Sequence, residues 1–573
     1  MKKWMIAAKK ADFNAIAARY NISPMLARII RNRDVTGDEA VNMYLNGTVS
    51  DMHDPHLLKD IDKAAKIIAE AVSLGTKVFI IGDYDIDGVC SSYILLKGIT
   101  SCGGNAVVRL PDRVKDGYGM NMSMVNEAIE QGAGLIVTCD NGIAAYDEIK
   151  YAKNNGLKVI VTDHHEVPFK EDDGKRNYII PQADAVVDPK QEECTYPYKE
   201  ICGGMVAYKL MLCLFELTGK GRDIKDELLM FAGFATVGDV MELRDENRIA
   251  VKFALEQMKT TSNQGMKCLI DVKKIDRNRL SPYHIGFILG PCINATGRLD
   301  TPTRALEMFM KQDPGEALLI AEELSSLNDS RKDLTEMYSK EAIEKVINDD
   351  GQRSDRVLVV YLPECHESLA GIIAGRLRET FGKPAFVLTK TDDCIKGSGR
   401  SVDAYDMHAE MTRCSDLFIK FGGHKAAAGL SMDEDKINEL RKRLNDNCTL
   451  TEDEMAEKLT ADIALPLSYA TYELAEELEK LEPYGIGNPH PLFAQKDLQI
   501  SDIRVFGKNR NVVKMKLSEA VPGSQKVDAI CFGDGDAIEA ELVKKDKISV
   551  MYELGINEYN GRRNVQLTIK DWK

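Results

Sequence analysis

No two of the thirteen cysteines in this chain of 573 residues form a C-x-x-C pair, and their number is odd. Neither a disulfide framework nor a cysteine-pair zinc site is therefore indicated, and the thiols read as small buried apolar groups. No apolar run approaches the ~20 residues that a membrane-spanning helix needs. The opening MKKWMIAAKK has a basic flank, but its apolar stretch ends at Ala8, too short for a secretory core, so the chain reads as cytoplasmic. No G-x-x-x-x-G-K-[ST] loop is present, which removes the P-loop nucleotidases. Neither a repeat of fixed period nor a low-complexity segment is found.

Positive charge is also scarce. The formal net charge is −15, at first sight an argument against a nucleic-acid partner. The sign is uneven, however. From residue 501 onward 13 Lys and Arg face 11 Asp and Glu, near +2, so residues 1–500 carry about −17. An acidic centre with a local basic path remains compatible with nucleic acid.

What is present is length and pattern. The length suits three to five units at roughly 100–200 residues each. Residues 1–50 read as helical. From about 60 to 250, β-branched runs (KVFIIG, AVVRL, LIVTC, KVIVT) alternate with helical stretches near 89–100, 122–131 and 145–154. Continuous apolar strands between helices predict a parallel sheet covered on both faces. Residues 314–347 predict one helix, opened by Asp313-Pro314 and closed by Asp349-Asp350-Gly351. At 1.5 Å per residue it would run about 50 Å and connect two lobes. A second α/β unit follows, with VLVVY at 357–361, a helix near 368–381, AFVL at 385–388 and further helices to about 446. Beyond Pro483 short alternating strands predict a small β-barrel.

The strongest chemical signal is GDYDIDG at 82–88, directly after the strand KVFII. Three aspartates at alternate positions in a turn can converge on one point, and open α/β sheets bind ligands at the carboxyl ends of their strands. An EF-hand loop begins similarly, but its twelfth position needs an acid and here holds Ile94, and a strand stands where a helix should. The next two strands also end in candidate ligands: LIVTC runs into Asp140-Asn141-Gly142 and KVIVT into Asp163-His164-His165. Asp239 drops a carboxylate into the apolar FATVGDVMEL, where it needs a cation or a donor. Carboxylate oxygens with one imidazole suit Mn²⁺ or Mg²⁺, and the number of groups suits two ions roughly 3.5–4 Å apart. Such a pair lowers the pKa of a bridging water and neutralises charge on a phosphate.

In their order, DYDIDG, TCDNG, DHH and GDV resemble the four motifs of the DHH phosphoesterases. GGHKAAAG, ending at Gly429, resembles the signature of the accompanying DHHA1 domain. LPDRVKDGYGMN (110–121), ICGGMVAYKL (201–210), GPCINATGRLDT (290–301), HESLAGIIAGRL (366–377), KGSGRS (396–401) and LEPYGIGNPHPLF (481–493) resemble the RecJ-type exonucleases within that superfamily. The resemblance covers about residues 40–573. It implies an α/β fold in which a parallel-sheet DHH domain and a smaller α/β DHHA1 domain are joined by a long helix and followed by a C-terminal OB-fold β-barrel. The corresponding bounds are an N-terminal helical segment (1–50), a DHH catalytic domain (51–260), a helical connector (261–350), a DHHA1 domain (351–450) and an OB-fold (455–573).

Carried over by position, Asp83, Asp85, Asp87, Asp140, His164 and Asp239 are expected as ligands of two divalent ions, Mn²⁺ or Mg²⁺, with Asp140 bridging. Asp163 and His165 are expected to orient that shell and share in catalysis. Some DHH relatives have a histidine two residues before the first aspartate, where this chain has Ile81. The resemblance therefore does not assign each aspartate to an ion. It also implies a pocket for the 5′ end of DNA: Arg113, Arg298, Ser398 and Arg400, with Gly-rich turns at 397–399 and 422–423 that admit backbone N–H groups, and Gly423 and His424 beside the strand. His424 would hold phosphate or brace the glycine turn. In the barrel, Phe506, Phe532, Tyr552 and Tyr559 beside Lys508, Arg510, Lys514 and Lys516 are candidates for stacking and phosphate tracking, although most barrel aromatics belong to the core.

The activity implied is metal-dependent 5′→3′ hydrolysis of single-stranded DNA to 5′-mononucleotides in recombination and repair. A single-strand-binding protein and a helicase are the implied protein partners, and no membrane is involved. The alternative is a DHH phosphodiesterase for short oligonucleotides or cyclic dinucleotides, against which the long helix and the barrel count. A non-catalytic scaffold would have lost ligands that are all present here.

Overall fold

The chain is described from a computed structural model, which covers residues 2–113, 116–172, 175–299, 301–559 and 561–573. It divides into two compact units, one of Met1–Ala7 and Asp329–Ala461, the other of Ala8–Asn328 and Asp462–Lys573.

The larger unit is built on five parallel strands. Strand β1 (Lys77–Ile81) leads into helix α1 (Ile86–Ser101) and β2 (Asn105–Arg109). Then follow β3 (Leu135–Cys139), β4 (Lys158–Thr162) and β5 (Ala185–Val187), in the spatial order β2-β1-β3-β4-β5. Alternate residues of each strand enter two different cores. Val78, Ile80, Leu135, Val137 and Ile160 face one, and Phe79, Ile81, Ile136, Val159 and Val161 face the other. That two-sided burial is why the strands are written as unbroken apolar runs. Helices α1, α2 (Gly203–Thr218) and α3 (Lys225–Gly238) supply the first core. The register aligns Ile81 with Thr138, Cys139 with Thr162, and Thr162 with Val187. Four strand ends therefore open on one edge. In this strand order the direction of winding reverses between β1 and β3, which leaves a crevice for ligands at their carboxyl ends.

The predicted connector is one helix, α4 (Pro314–Asn348), whose start is fixed by the Asp313 carboxylate accepting the Glu316 N–H at 2.9 Å. The division between the two units falls within it.

The smaller unit carries β6 (Leu358–Tyr361), helix α5 (Glu367–Phe381), β7 (Ala385–Lys390), β8 (Ile395–Arg400), β9 (Phe418–His424) and β10 (Ala427–Met432), in the order β9-β10-β8-β7-β6. Two expectations are corrected here. The stretch 395–432, expected to hold further helices, carries three strands with only short helical turns between them, and the Gly-rich segments 397–399 and 422–423 lie in strands rather than turns. Glycine has low strand propensity, so local sequence hid a ladder that its neighbours impose.

The N-terminal segment is not wholly helical. Lys3–Ile6 forms a strand parallel to Lys458–Ala461 in the smaller unit. A partner some 450 residues away leaves no trace in local periodicity. The helices Phe13–Tyr20, Pro24–Asn32 and Asp38–Asn46 belong to the larger unit.

There the C-terminal barrel comprises β11 (Leu492–Phe506), β12 (Val512–Ser518), β13 (Val527–Phe532), β14 (Lys547–Tyr559) and β15 (Arg562–Trp572). It closes by pairing β14 back onto β11. Leu26, Ile29, Ile30, Val41 and Tyr44 from the N-terminal helices share its core with Leu474, Leu481, Phe493, Val513 and Tyr552. Arg33 ties the two together. Its guanidinium donates to both oxygens of Asp462 (2.6 and 3.0 Å) and to the Pro489 carbonyl (2.9 Å), with both side chains buried. Arg33→Ala strands a buried carboxylate. It is expected to lower stability by about 3–5 kcal/mol in urea unfolding, and an unchanged urea midpoint would refute that weight.

Candidate metal centre

Three strand ends and one helix end deliver the predicted acids to the crevice. After β1 the chain passes through Asp83 and reaches Asp85, which caps α1. Asp85 Oδ1 accepts the N–H groups of Asp87 and Gly88, both at 3.0 Å. Capping occupies that oxygen and turns Asp87 inward on the first turn of α1. Both Asp87 oxygens accept N–H groups at the start of α2, from Gly203 and Gly204, each at 2.7 Å. A helix N-terminus favours a carboxylate both by its free N–H groups and by its dipole. Only glycine fits at Gly203: a Cβ there would stand 2.8 Å from that of Asp140.

Asp140 follows β3 with φ +61°, a left-handed conformation that Asp and Asn tolerate better than most residues. Its Oδ1 lies 3.0 Å from His164 Nε2. The same imidazole nitrogen is 3.5 Å from Asp87 Oδ2 and 3.7 Å from Asp239 Oδ2. Asp239 itself ends α3. Donor atoms fall into overlapping sets, each within 4.8 Å: Asp83, Asp85 and Asp140; Asp87, His164 and Asp239; and Asp140, His164 and His165. All six expected ligands are thus brought together, with Asp140 next to both halves.

Asp163 is different. Its Oδ2 accepts the Ile143 N–H (2.9 Å). Its Oδ1 accepts the N–H groups of His164 (2.8 Å) and His165 (3.2 Å) and contacts His165 Nδ1 at 2.7 Å. With both oxygens engaged, Asp163 orients the two histidines.

The electrostatics follow from crowding. Burial, then the neighbouring Asp85, pushes the Asp83 carboxyl up to about 8. Burial, then Asp87 and Asp85, does the same for Asp239. Asp85 and Asp140 are raised for the same reasons. Burial lowers His164, whereas at His165 burial is overcome by the bond and charge of Asp163 together with the charges of Asp239 and Asp87, and the imidazole is lifted to about 9. So many carboxylates hold their charge together only beside a cation. In metal-free protein Asp83 and Asp239 retain protons that the unfolded chain releases near 3.8. Their stabilising contribution is therefore complete below about pH 4 and is lost as pH rises to about 8. Melting in EDTA across that range should show the decline and a divalent ion should reverse it; a flat profile would contradict the crowding.

Sequence reasoning missed several supports. Asn294 Oδ1 accepts the Ile86 N–H (2.8 Å) and seats α1. Asn141 Nδ2 donates to the Ile81 and Cys139 carbonyls (3.1 and 2.9 Å), joining the ends of β1 and β3. The Tyr118 hydroxyl donates to the Asp140 carbonyl (3.1 Å) and lies 3.1 Å from His165 Nε2. Asp188, past the end of β5, is a fourth buried strand-end acid. Asn141 stands inside a motif that was read for its acid, and Asn294, Tyr118, Gly203 and Gly204 stand inside motifs known only by resemblance; their roles need tertiary contacts to be seen.

Comparison with known proteins agrees with this architecture. Models of the DHH family N-terminal domain, the DHHA1 domain and the RecJ OB domain match residues 77–236, 354–449 and 461–571. The single-stranded-DNA-specific exonuclease RecJ of Bacillus subtilis (strain 168) is 34% identical over 575 residues, 99% of this chain and 70% of that protein. The chain belongs to the RecJ family. RecJ of Escherichia coli (strain K12) is 32% identical, with 96% of this chain and 95% of that protein covered. The crystal structure of RecJ in complex with Mn²⁺ from Thermus thermophilus superposes with a TM-score of 0.83 at 26% identity, covering 100% of this chain and 79% of that one.

Within this RecJ-family chain the expected phosphate ligands form two groups. In the larger unit the Arg113 guanidinium sits over the Tyr84 ring, 5.1 Å from its centroid, and Tyr84 stands between Asp83 and Asp85. Arg298, on the helix Gly290–Leu299, acts on the same tyrosine through its charge. In the smaller unit Arg400 donates to Ser398 Oγ (3.1 Å), and Ser398 and Arg400 pair with Gly429 and Ala427. Gly423 and His424 pair with Ala428 and Ala427 from the other side. Gly423 has φ +143°, which only glycine adopts readily. His424 Nδ1 accepts the Ala426 N–H at 3.3 Å, bracing the hairpin.

In the barrel Tyr552 is core, its hydroxyl donating to the Leu465 carbonyl (3.0 Å). Phe506 and Phe532 are exposed, both across from Val512. Lys514 pairs with Asp528 and Arg510 with Asp536. The Tyr559 side chain lies outside the described residues. No helix among the described residues is long and apolar enough to cross a membrane.

Proposed function

We propose that this chain is a divalent-metal-dependent exonuclease that degrades single-stranded DNA from the 5′ end and releases 5′-mononucleotides. One observation carries the reading: six donor groups converge at the β1/β3 crevice in two adjoining sets, Asp83–Asp85–Asp140 and Asp87–His164–Asp239. Their chemistry fits Mn²⁺ or Mg²⁺. Oxygen donors dominate, one imidazole nitrogen joins them, and the His164 Nδ1 left over is buried with no hydrogen-bond partner among the described residues. Asp83, Asp85 and Asp140 would hold one ion and Asp87, His164 and Asp239 the other, with Asp140 shared. When bound, such ions supply Lewis-acid stabilisation of phosphoryl charge and an acidified water.

The remaining residues position and select. Asp163 holds both histidines at the crevice, and Asp87 is anchored by α2. Arg113 and Arg298 supply guanidinium groups for phosphate, which they bind with fixed geometry. Ser398, Arg400, Gly423 and His424 are assigned to substrate phosphates in the smaller unit. The exposed Phe506 and Phe532 offer the barrel's base-stacking faces. The wider setting of the proposal is DNA recombination and repair in the cytoplasm. Thirteen free cysteines suit that reducing compartment. By family relation, a single-strand-binding protein and a helicase are the partners that would expose such strands.

The deciding experiment is digestion of end-labelled single strands with EDTA, Mg²⁺ or Mn²⁺. Activity only with an ion and 5′-mononucleotides as the sole early product are expected. Preference for di- and trinucleotides over long strands would instead support a short-oligonucleotide phosphodiesterase. In the same assay Arg400→Ala is expected to reduce the preference for a 5′-phosphorylated end by about 10-fold, the weight of one charge-assisted contact. An unaltered preference would place the 5′-end contacts elsewhere.

A further inference from the structure

A second constellation of ligand-type side chains lies at the opposite end of helix α2 from the acidic crevice. Cys213 and Glu216 stand three residues apart on one face of that helix. His56, in the turn Pro55–Leu57, and Asp62, in the first turn of the helix Ile61–Ser73, approach from a separate stretch of chain. The His56 ring touches both carboxylates: Nδ1 is 2.6 Å from Asp62 Oδ1 and Nε2 is 3.0 Å from Glu216 Oε2. Cys213 Sγ is 4.0 Å from His56 Nδ1. Donor atoms of His56, Asp62 and Cys213 all lie within 4.8 Å of one another. The thiol forms the floor of the group, with Cys213 only 1% exposed, while the imidazole and the carboxylates are open to solvent at 41–57%.

We propose that His56 Nδ1, Asp62 and Cys213 bind one zinc-class divalent ion, separate from the pair in the acidic crevice, with Glu216 on the other ring nitrogen orienting the imidazole. The donor set decides the class of ion. One sulfur, one imidazole nitrogen and a carboxylate match Zn²⁺ and its analogue Co²⁺, whereas Mg²⁺ and Mn²⁺ prefer oxygen alone. The local field has the right sign. Asp54, Asp62 and Glu216 surround the site, and the nearby Lys209 is engaged at 2.9 Å by the buried Glu246. Without an ion, the imidazole sits between two carboxylates that raise its pKa. Burial together with Asp62 and Glu216 pushes the Cys213 thiol up to about 12. Binding needs a thiolate and an unprotonated imidazole nitrogen, so an entering ion displaces the thiol proton. About 15 Å of helix separates Gly203 from Cys213. The ion would pin the far end of the helix whose near end grips Asp87.

The test is titration of the full-length protein with Co²⁺ under a non-thiol reductant. A thiolate-to-cobalt charge-transfer band in the near ultraviolet should grow to one equivalent, vanish in Cys213→Ser, and fade when Zn²⁺ is added. Neither donor set assigned to the ion pair in the acidic crevice contains sulfur, so ions bound there give no such band. Glu216→Gln, at an exposed position, weakens the partner that orients the imidazole and should shift the titration to higher Co²⁺. A wild-type protein without the band, a band that survives Cys213→Ser, or a titration that Glu216→Gln leaves unmoved would each overturn the proposal.

Discussion

Asp140→Asn is expected to lower the hydrolytic rate by about 10³-fold or more while leaving affinity for single strands within a factor of two or so, because a lost transition-state electrostatic contact acts on kcat rather than on binding. Asn is the informative replacement. It is isosteric, keeps the left-handed backbone at φ +61°, and removes only charge from the one carboxylate that adjoins both donor sets. The same substitution should raise the melting temperature of metal-free protein. Asp83, Asp85, Asp87 and Asp239 all act on the Asp140 carboxyl, and deleting one buried negative charge relieves the rest. Lower activity with higher metal-free stability is a pairing that simple damage to the fold does not produce. Turnover within tenfold of wild type would mean that the shared ligand is another residue.

Asp87→Ala is expected to do the reverse to stability. Among the described residues, the N–H groups of Gly203 and Gly204 lose the acceptors they have at that helix start, in a fully buried place. At about 1–3 kcal/mol for each stranded donor, the loss is about 2–6 kcal/mol. That exceeds the about 1 kcal/mol from an ordinary lost helix cap, which is what Asp85→Ala removes on the capping side. Urea unfolding in EDTA separates this cost from lost metal binding. Activity should vanish along with it. If Asp87→Ala and Asp85→Ala prove equally stable, the grip of α2 on Asp87 contributes little.

How much of this was legible in the sequence depended on whether the signal was local. The parallel sheet was legible because two-sided burial writes each strand as a solid apolar run, as KVFII and LIVTC show. The acids were legible because they sit where those runs stop. The long helix was legible from Asp313-Pro314 and an uninterrupted helical composition. Gly397–Gly399 and Gly422–Gly423 misled, since glycine in a ladder looks like glycine in a turn until the partner strands are known. Lys3–Ile6 misled more completely, because nothing in four residues announces a partner at Lys458–Ala461. Asp163 was identified as orienting rather than ligating only through resemblance; the four donors that occupy it make the same point physically.

The sharing of one apolar interior by the first helices and the final barrel bears on how the molecule is made. A ribosome releases Leu26, Ile29 and Ile30 long before Phe493, Val513 or Tyr552 exist. For most of translation this oily stripe has no native home, and contacts so distant in sequence form late. Nascent chains must therefore keep it from sticking elsewhere, and a product truncated before the last hundred or so residues would expose it permanently, a ready target for chaperones and proteases. Only chains synthesised through this barrel can bury the helices made before it.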